Sequence, residues 1–486
     1  MTRTLVVVGL LAPVLFGIAI ACIRFRNHGI AANWHSDQHP WEFETTNQRE
    51  LDHLQAADFL SKVNFYEDGQ GMILPVSVTK RRLTSQFGLQ AVADESGLIP
   101  RQNGLYGIQE HEIGSANVLV LGCGACHIGK AAGRVIPGLG LKTIDLFGLA
   151  QSTFEQVSSA TAADAMVRAH DADWLRAKAA GRKAYRRLAH RTEYDSGTAG
   201  VINQFFALEM AIEELGLPPF EKPLIAPVKV PSFWGYGAKR QVGVFSDGFL
   251  KGNPPGSAGI PLFIGNYRLS QFEKSMGVYE EAERQFEQLL PPRYPFEINC
   301  DLARQGRSIF VNECVHCHSD HQRDQDQLPI FTQPAFIALD AVGTDAARAD
   351  VYDDYVRDRV TDSSFATYLQ TTDLRGGYLA PNLWGIWSRF PYLHNGSVAN
   401  IADLLTTPAE RPRYINVRDI GEESRFDPTR LGATPTNVRQ HHSSIAHRSR
   451  WIYDTERAGL SNQGHDFGTD RSSSDKAALI EYLKTL

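Results

Sequence analysis

A five-residue pattern, Cys-x-x-Cys-His, occurs twice in this chain and constrains its fold more than any other feature. The residues concerned are Cys123, Cys126 and His127 in the first copy, and Cys314, Cys317 and His318 in the second. At this spacing the two thiols lie on one helical turn and can add across the vinyl groups of one haem. The adjacent imidazole can then bind the iron. The two copies therefore predict two covalently bound haem c groups.

Paired cysteines have two other common uses. A lone Cys-x-x-Cys can be a redox-active dithiol or half of a zinc site. A zinc site needs two further ligands, which His316 and His321 could supply near the second pair, while nothing comparable lies near the first. Because the two motifs also use four of the six cysteines, haem attachment is favoured over zinc or redox thiols.

The bulk composition is that of a globular chain with long irregular segments. At 486 residues the chain is long enough for two to four domains, and an apolar content of 43% is sufficient for a buried core. The net charge of -6 is mild, and acidic and basic residues are interspersed, which argues against a nucleic-acid partner. The 41 glycines and 24 prolines indicate long loops, as expected where a chain wraps around cofactors.

The N-terminal segment predicts export from the cytoplasm. Leu5 to Ile23 carries no charge and is flanked by arginines, and its length approaches the roughly 20 residues that cross a bilayer. We interpret residues 1–26 as a signal anchor, with a cleaved signal peptide as the alternative, and residues 27–48 as a polar tether. Covalent haem attachment in bacteria is itself extracytoplasmic. Both observations predict a periplasmic protein anchored to the inner membrane.

Helical patterns and proline-rich breaks predict two haem domains. A break at Pro291 to Phe296 separates an N-terminal haem c domain, residues 49–295, from a C-terminal cytochrome c domain, residues 296–486. In the first domain Val201 to Leu215 has the apolar pattern of a helix, and Gly129 to Gly140 is predicted to be a loop near the porphyrin. The expected fold class is mainly α: two c-type cytochrome domains with long irregular loops and an N-terminal membrane anchor.

The C-terminal domain has the two helices that bracket a cytochrome c fold. Leu302, Gly306 and Phe310 share one face of a helix that leads directly into Cys314. A second helix closes the chain, with its apolar residues at helical spacing: Leu479, Tyr482, Leu483 and Leu486. We expect these two helices to cross at Gly306, with Phe310 beside the crossing.

The ligand on the open face of each iron decides between electron transfer and small-molecule chemistry. No methionine follows Cys314, so the second haem cannot take a methionine ligand from its own domain. His465 lies between Gly464 and Gly468, which would let the backbone present its ring to a haem. His465 is therefore the predicted second axial ligand, with His394 next. The alternative is a surface histidine in a polar loop.

The first haem has no comparable histidine, but aromatic residues are dense in its domain. Phe233 and Trp234 are followed, fifteen residues after Trp234, by Phe249. These residues are either ordinary core aromatics or the wall of a pocket over the open face of the haem on His127. In the second case the iron is five-coordinate or water-bound, and it can bind O2 or H2O2.

One continuous segment resembles a known family. Pro391 to Val398 reads P-Y-L-H-N-G-S-V, and its first six residues resemble a segment of the bacterial dihaem cytochrome c peroxidase superfamily. The form L-H-N-G-S-V is similar to the rubber-oxygenase branch of that superfamily. Gly464 to Gly468 and the final helix resemble the same branch. The resemblance covers both haem motifs and is firmest from Gly377 onward.

This resemblance implies a role for each haem. The haem on His127 would meet the oxidant, with Phe233, Trp234 and Phe249 lining its distal side. The haem on His318 would transfer electrons, with His465 as its distal ligand. The implied activity is that of a haem-dependent oxidoreductase, peroxidase-like or oxygenase-like, supplied by a periplasmic electron-transfer protein. By analogy with the peroxidases, a calcium ion between the domains is also compatible with the resemblance. The alternative function is a membrane-tethered dihaem electron carrier without small-molecule activation.

Overall fold

The computed structural model describes residues 48–63, 72–74, 79–89, 105–113, 116–157, 195–203, 224–243, 245–252, 269–363, 366–436 and 449–486. The predicted anchor and nearly all of the predicted tether lie outside these residues. No helix within them is both long enough and apolar enough to cross a membrane.

The described residues contain 14 helices, most of them short. They are α1 (Gln48–Lys62), α2 (Lys80–Ser85), α3 (Gly124–His127), α4 (Leu146–Val157), α5 (Tyr236–Arg240), α6 (Leu269–Glu287), α7 (Cys300–Glu313), α8 (Val315–His318), α9 (Leu339–Val342), α10 (Ala347–Val351), α11 (Asp354–Thr361), α12 (Ile401–Leu404), α13 (Val417–Gly421) and α14 (Ser473–Leu483). Single 3-10 turns occur at Ile386–Ser388, Pro408–Glu410 and Glu423–Arg425.

Short strands lie between these helices throughout the same residues. They are β1 (Met72–Leu74), β2 (Ile108–Ile113), β3 (Ala116–Leu121), β4 (Ile128–Ala131), β5 (Arg134–Pro137), β6 (Val201–Asn203), β7 (Pro227–Lys229), β8 (Leu250–Gly252), β9 (Phe336–Ala338), β10 (Leu369–Thr371), β11 (Gly377–Leu379), β12 (Tyr414–Asn416), β13 (Phe426–Asp427), β14 (Gly432–Ala433) and β15 (Ile452–Asp454). One sheet has three strands in the order β1-β3-β2, and every other sheet is an antiparallel pair.

The predicted fold class, mainly α with a membrane anchor, is wrong. The described residues form a mixed α and β structure, and no described helix could serve as an anchor. Two segments show why the sequence misled. Val201–Asn203, the start of a predicted helix, is strand β6 and pairs with β7; residues 204–215 lie outside the described residues. Gly129 to Gly140, a predicted loop, largely forms the β4–β5 hairpin. Strands this short carry too few residues for an alternating pattern to emerge.

The predicted crossing of the two C-terminal helices is confirmed. Helix α7 packs against α14, and a Cβ atom on Gly306 would lie 1.9 Å from the backbone oxygen of Ala478. Only glycine allows the helix backbones this approach. Phe310 lies beside the crossing with its ring 5.1 Å from that of Tyr482. Asn299 caps α7 and Ser472 caps α14, each by accepting a backbone hydrogen bond from the first helical turn.

The core is divided among three clusters of buried side chains. The largest lies in the C-terminal half around Trp384 and Trp387, and it also takes in Trp234 from the N-terminal half. A second cluster surrounds Phe249 and Phe286 and has Cys123 at its edge. The third packs under the β1-β3-β2 sheet. Because the largest cluster draws residues from both halves, the two motifs are held in one packed structure.

Candidate haem-binding sites

The first motif forms one helical turn directly after a strand. Strand β3 leads into Cys123, and helix α3 places both thiols and the imidazole within that turn, where the amide of His127 donates to the carbonyl of Cys123 at 3.0 Å. A Cβ atom on Gly107 would lie 2.1 Å from the nitrogen of Ala125, so the neighbouring backbone packs directly on the turn. Cys123 and Cys126 are free thiols, and burial raises the pKa of each to about 12.

The imidazole of His127 is oriented by a residue that lies far along the chain. Its Nδ1 lies 3.1 Å from the carbonyl oxygen of Pro231, and as a donor there it leaves Nε2 available to a metal. The ring of Phe233 stacks on the imidazole, with centroids 3.7 Å apart and planes 14° from parallel. Burial lowers the pKa of His127 to about 3. The histidine is therefore neutral, as a metal ligand must be.

The second motif repeats this arrangement at the end of a long helix. Helix α7 continues into Cys314, whose amide donates to Phe310, and helix α8 then presents Cys317 and His318. Nδ1 of His318 lies 2.9 Å from the carbonyl oxygen of Pro381, again leaving Nε2 available. Both thiols are free. Burial lowers the pKa of His318 below its ordinary value.

A second imidazole faces His318. The ring centroid of His465 lies 6.3 Å from that of His318. A metal bound to two imidazoles, each about 2 Å from nitrogen to metal, separates the ring centroids by roughly 6 Å. Nδ1 of His465 is buried and has no hydrogen-bond partner within the described part of the chain. These residues fit a haem iron bound between the two histidines.

Backbone strain and a buried arginine hold His465 in place. His465 has a positive φ of 52°, and its amide donates to Val342 at 2.7 Å. Arg411, which is 5% exposed, donates to the carbonyl oxygens of Asn462 and Gly464 at 2.6 and 2.7 Å. No local pattern predicts that Arg411 supports this loop, because the loop and the arginine are far apart along the chain.

The three predicted pocket aromatics separate in the structure. Phe233 and Phe249 pack in the cluster that has Cys123 at its edge, where Phe233 stacks on Phe286 with centroids 4.4 Å apart. Trp234 is buried in the other large cluster. Its Nε1 donates to the carbonyl oxygen of Trp384 at 2.9 Å. The structure therefore brings Phe233 to His127 and directs Trp234 towards the second half of the chain.

The runner-up ligand His394 lies elsewhere. Its ring is stacked on Tyr378 with centroids 4.3 Å apart, and its buried Nε2 has no hydrogen-bond partner among the described residues. Burial, with Arg348 and Lys229 nearby, lowers the pKa of His394 to about 3. Of the two candidate histidines, the structure brings His465 to His318.

The described residues contain no cluster of side chains that could bind a metal ion without a haem. No group of three or more histidine, cysteine, aspartate or glutamate side chains there could hold a metal ion. Nε2 of His321, one of the ligands weighed for zinc, accepts a hydrogen bond from the amide of Leu383 at 2.9 Å. The calcium ion compatible with the resemblance remains a prediction.

Helical turns that pair two cysteines outside any disulfide with a carbonyl-oriented histidine define a class of protein, the c-type cytochromes, which are oxidoreductases with covalently bound haem c. Comparison with known families points to the same class. Residues 377–416 match the family described as RoxA-like, cytochrome c-like. The matched segment includes Pro381, which orients His318, and also His394.

Two proteins of Sinorhizobium fredii (strain NBRC 101917 / NGR234) are similar to the chain. The uncharacterized protein y4iJ is 26% identical over 294 residues, which covers 46% of this chain and 47% of that protein. The uncharacterized protein y4iM is 28% identical over 227 residues, covering 40% and 51% respectively. The chain thus spans about half the length of the curated relatives it matches.

Proposed function

We propose that this chain is a periplasmic dihaem c-type oxidoreductase. His127 would hold a haem that binds O2 or H2O2, and His318 would hold a haem that supplies or stores electrons. One observation carries the proposal. His465 faces His318 at 6.3 Å between ring centroids, whereas among the described residues the only ring stacked against His127 is the apolar ring of Phe233.

The second site is suited to electron transfer because His318 and His465 face each other and would both hold the iron. An iron held in this way would have no position for a small molecule. Arg411 and the strained backbone at His465 hold the second imidazole in place, so little rearrangement accompanies a change of charge. The residues around His318 therefore position a carrier and exclude other ligands.

The first site is suited to small-molecule binding because its surroundings are apolar and its histidine is fixed. A haem iron with an open face supplies the chemistry of O2 or peroxide activation. Pro231 orients His127, and the apolar ring of Phe233 stacks on both the imidazole and Phe286. Phe249, stacked on Tyr352 at 4.3 Å, extends the same apolar surroundings. We assign Phe233 and Phe249 to the pocket that admits the oxidant, and Trp234 to the wall between the two sites.

Carbon monoxide tests this proposal directly. The holoprotein is first assayed by pyridine haemochrome, and two haems per chain are expected. After reduction, CO should shift the Soret band of about one of these two haems, and a reductant should drive consumption of O2 or H2O2. A protein with two haems of which neither binds CO would instead be an electron carrier. Fewer than two haems per chain would end the proposal.

A further inference from the structure

A group of cations lies between the two motifs without enough carboxylates to balance it. Lys229, Lys239, Arg348 and Arg389 are its four basic side chains. Among the described residues the one ion pair in this group joins Arg348 to Asp247 at 2.6 Å. Burial and the neighbouring Arg389 lower the pKa of Lys229. A carboxylate beside these side chains would favour their charged forms, so the group suits an anionic ligand.

Lys229 and Arg389 connect the two motifs physically. Nζ of Lys229 donates to the carbonyl oxygen of Arg389 at 2.7 Å and also to that of Pro391. Lys229 lies two residues before Pro231, whose carbonyl orients His127. The guanidinium of Arg389 donates to the carbonyl oxygen of Asn382, the residue after the one that orients His318. Each cation is thus tied to the backbone that holds one of the proximal histidines.

Lys239 and Arg348 extend the same group on the side of the first motif. Lys239 lies on α5, which begins three residues after Phe233, and it interacts electrostatically with Asp247, Arg348 and Arg389. Burial and the neighbouring arginines lower the pKa of Lys239 to about 8, against the opposing effect of Asp247. An anion at this position would relieve the repulsion among these cations.

We propose that Lys229, Lys239 and Arg389 form a shared carboxylate-binding site that receives the propionate groups of both haems. This inference rests on the proposed dihaem function and adds a physical link between the two haems. Propionates are carboxylates at the edge of the porphyrin, and Lys229 and Arg389 belong to or bind the backbone segments that orient the two proximal histidines. Because the ammonium of Lys229 holds the backbone at Arg389, a change of charge at one haem acts on the surroundings of the other.

Spectroelectrochemical titration of Lys229→Gln holoprotein tests the shared site. Loss of a positive charge destabilises the reduced state, so the midpoint potentials of both haems should fall. We expect about a tenfold change in the ferric-to-ferrous ratio of each haem at fixed potential, which is 59 mV for one electron. The charge-conserving substitution Lys229→Arg should leave both midpoint potentials close to those of the parent protein. Lys62→Gln, at an exposed lysine paired with Asp58, should change neither.

A second measurement separates propionate binding from a general effect of charge. The propionate bending modes in the resonance Raman spectrum should move for both haems in Lys229→Gln, and Arg389→Gln should shift the potential of the second haem most. A shift confined to one haem, or unchanged propionate modes, would overturn the shared site. The titration requires only that two haems are present. A protein that binds two haems but no CO would therefore refute the proposed activity and leave this inference standing.

Discussion

The two Cys-x-x-Cys-His turns are nearly identical in local structure and differ in what lies opposite them. Each histidine is oriented by a proline carbonyl, Pro231 at 3.1 Å for His127 and Pro381 at 2.9 Å for His318. Opposite His318 lies the imidazole of His465, whereas a phenyl ring stacks on His127. The attachment motif therefore fixes the haem and its first ligand. Residues distant in the sequence decide what else reaches the iron.

The helices and strands that support the two turns also differ. The second turn continues a long helix, α7, and that helix is locked against α14 at the crossing by Gly306. The first turn follows β3, the central strand of a small sheet, and precedes the β4–β5 hairpin. A motif that continues one of two packed helices suits a carrier that must not change shape. A site between a hairpin and loops can admit a small molecule.

Gly306→Val offers the most severe test of this comparison. With a Cβ atom 1.9 Å from the oxygen of Ala478, the helices must separate, and we expect a loss of stability of about 3 kcal/mol or more. Thermal melting followed at the haem absorption bands should show the second site disrupted before the first. Gly277→Ala is the matched control, because a Cβ atom there meets nothing within 4 Å. Equal stability of the two variants would mean that the helix crossing at Gly306 does not stabilise the second site.

His465→Ala should abolish the difference between the two irons. With the facing imidazole gone, the second haem should change from low-spin to high-spin while the first keeps its spectrum. Low-temperature EPR measures both, and CO should then bind two haems instead of one. His316→Ala serves as the control because His316 is an exposed histidine in the second motif itself. A second haem that stays low-spin in His465→Ala would mean that another residue is its ligand.

Phe233→Leu should alter the first haem and leave the second unchanged. The substitution removes the stacking on His127 and on Phe286, contacts worth about 0.5–1.5 kcal/mol each. We expect faster CO binding to the reduced first haem, measured by flash photolysis, because the smaller leucine leaves more room in the pocket to which Phe233 is assigned. Phe296→Leu is an exposed control far from His127 in sequence. Unchanged CO kinetics in Phe233→Leu would mean that Phe233 does not control access to this site.

Much of the second site could be predicted from sequence, because its signals are local. The C-x-x-C-H pattern, the glycines flanking His465 and the helical spacing around Gly306 each lie within a few residues of one another. In the structure the motif forms one helical turn, the ring of His465 faces His318, and Gly306 lies at the helix crossing. Short-range patterns of this kind can be recognised in the sequence because the residues that form them are neighbours along the chain.

The surroundings of the first site could not be predicted in the same way. The side chain of Trp234 is buried with the C-terminal half, although the neighbouring Phe233 stacks on His127, since consecutive residues point in different directions. Val201–Asn203, the start of a predicted helix, forms strand β6 because it pairs with β7, which lies more than twenty residues further along the chain. The group containing Lys229 and Arg389 is assembled from separate segments, and no single window of sequence contains it.

The smallest effect is expected for stability at acid pH, which depends on a buried histidine away from both proximal ligands. Burial, with Arg348 and Lys229 nearby, lowers the pKa of His394 from 6.5 to about 3, so the folded protein keeps this ring neutral. The unfolded chain takes up a proton as the pH falls below 6.5, and the folded chain does so only near pH 3. The stability associated with the neutral ring is therefore complete above pH 6.5 and is lost progressively as the pH falls through this window.

His394→Phe keeps an aromatic ring stacked on Tyr378 and removes the titration. Denaturant unfolding measured across the same pH window should show a weaker dependence of stability on pH, by about one proton. Above pH 6.5 the variant should match the parent within about 1 kcal/mol, because the ring there is neutral in both folded and unfolded chains. An unchanged slope would mean that His394 is protonated in the folded protein. The segment that matches the RoxA-like family would then carry a positive charge next to Lys229.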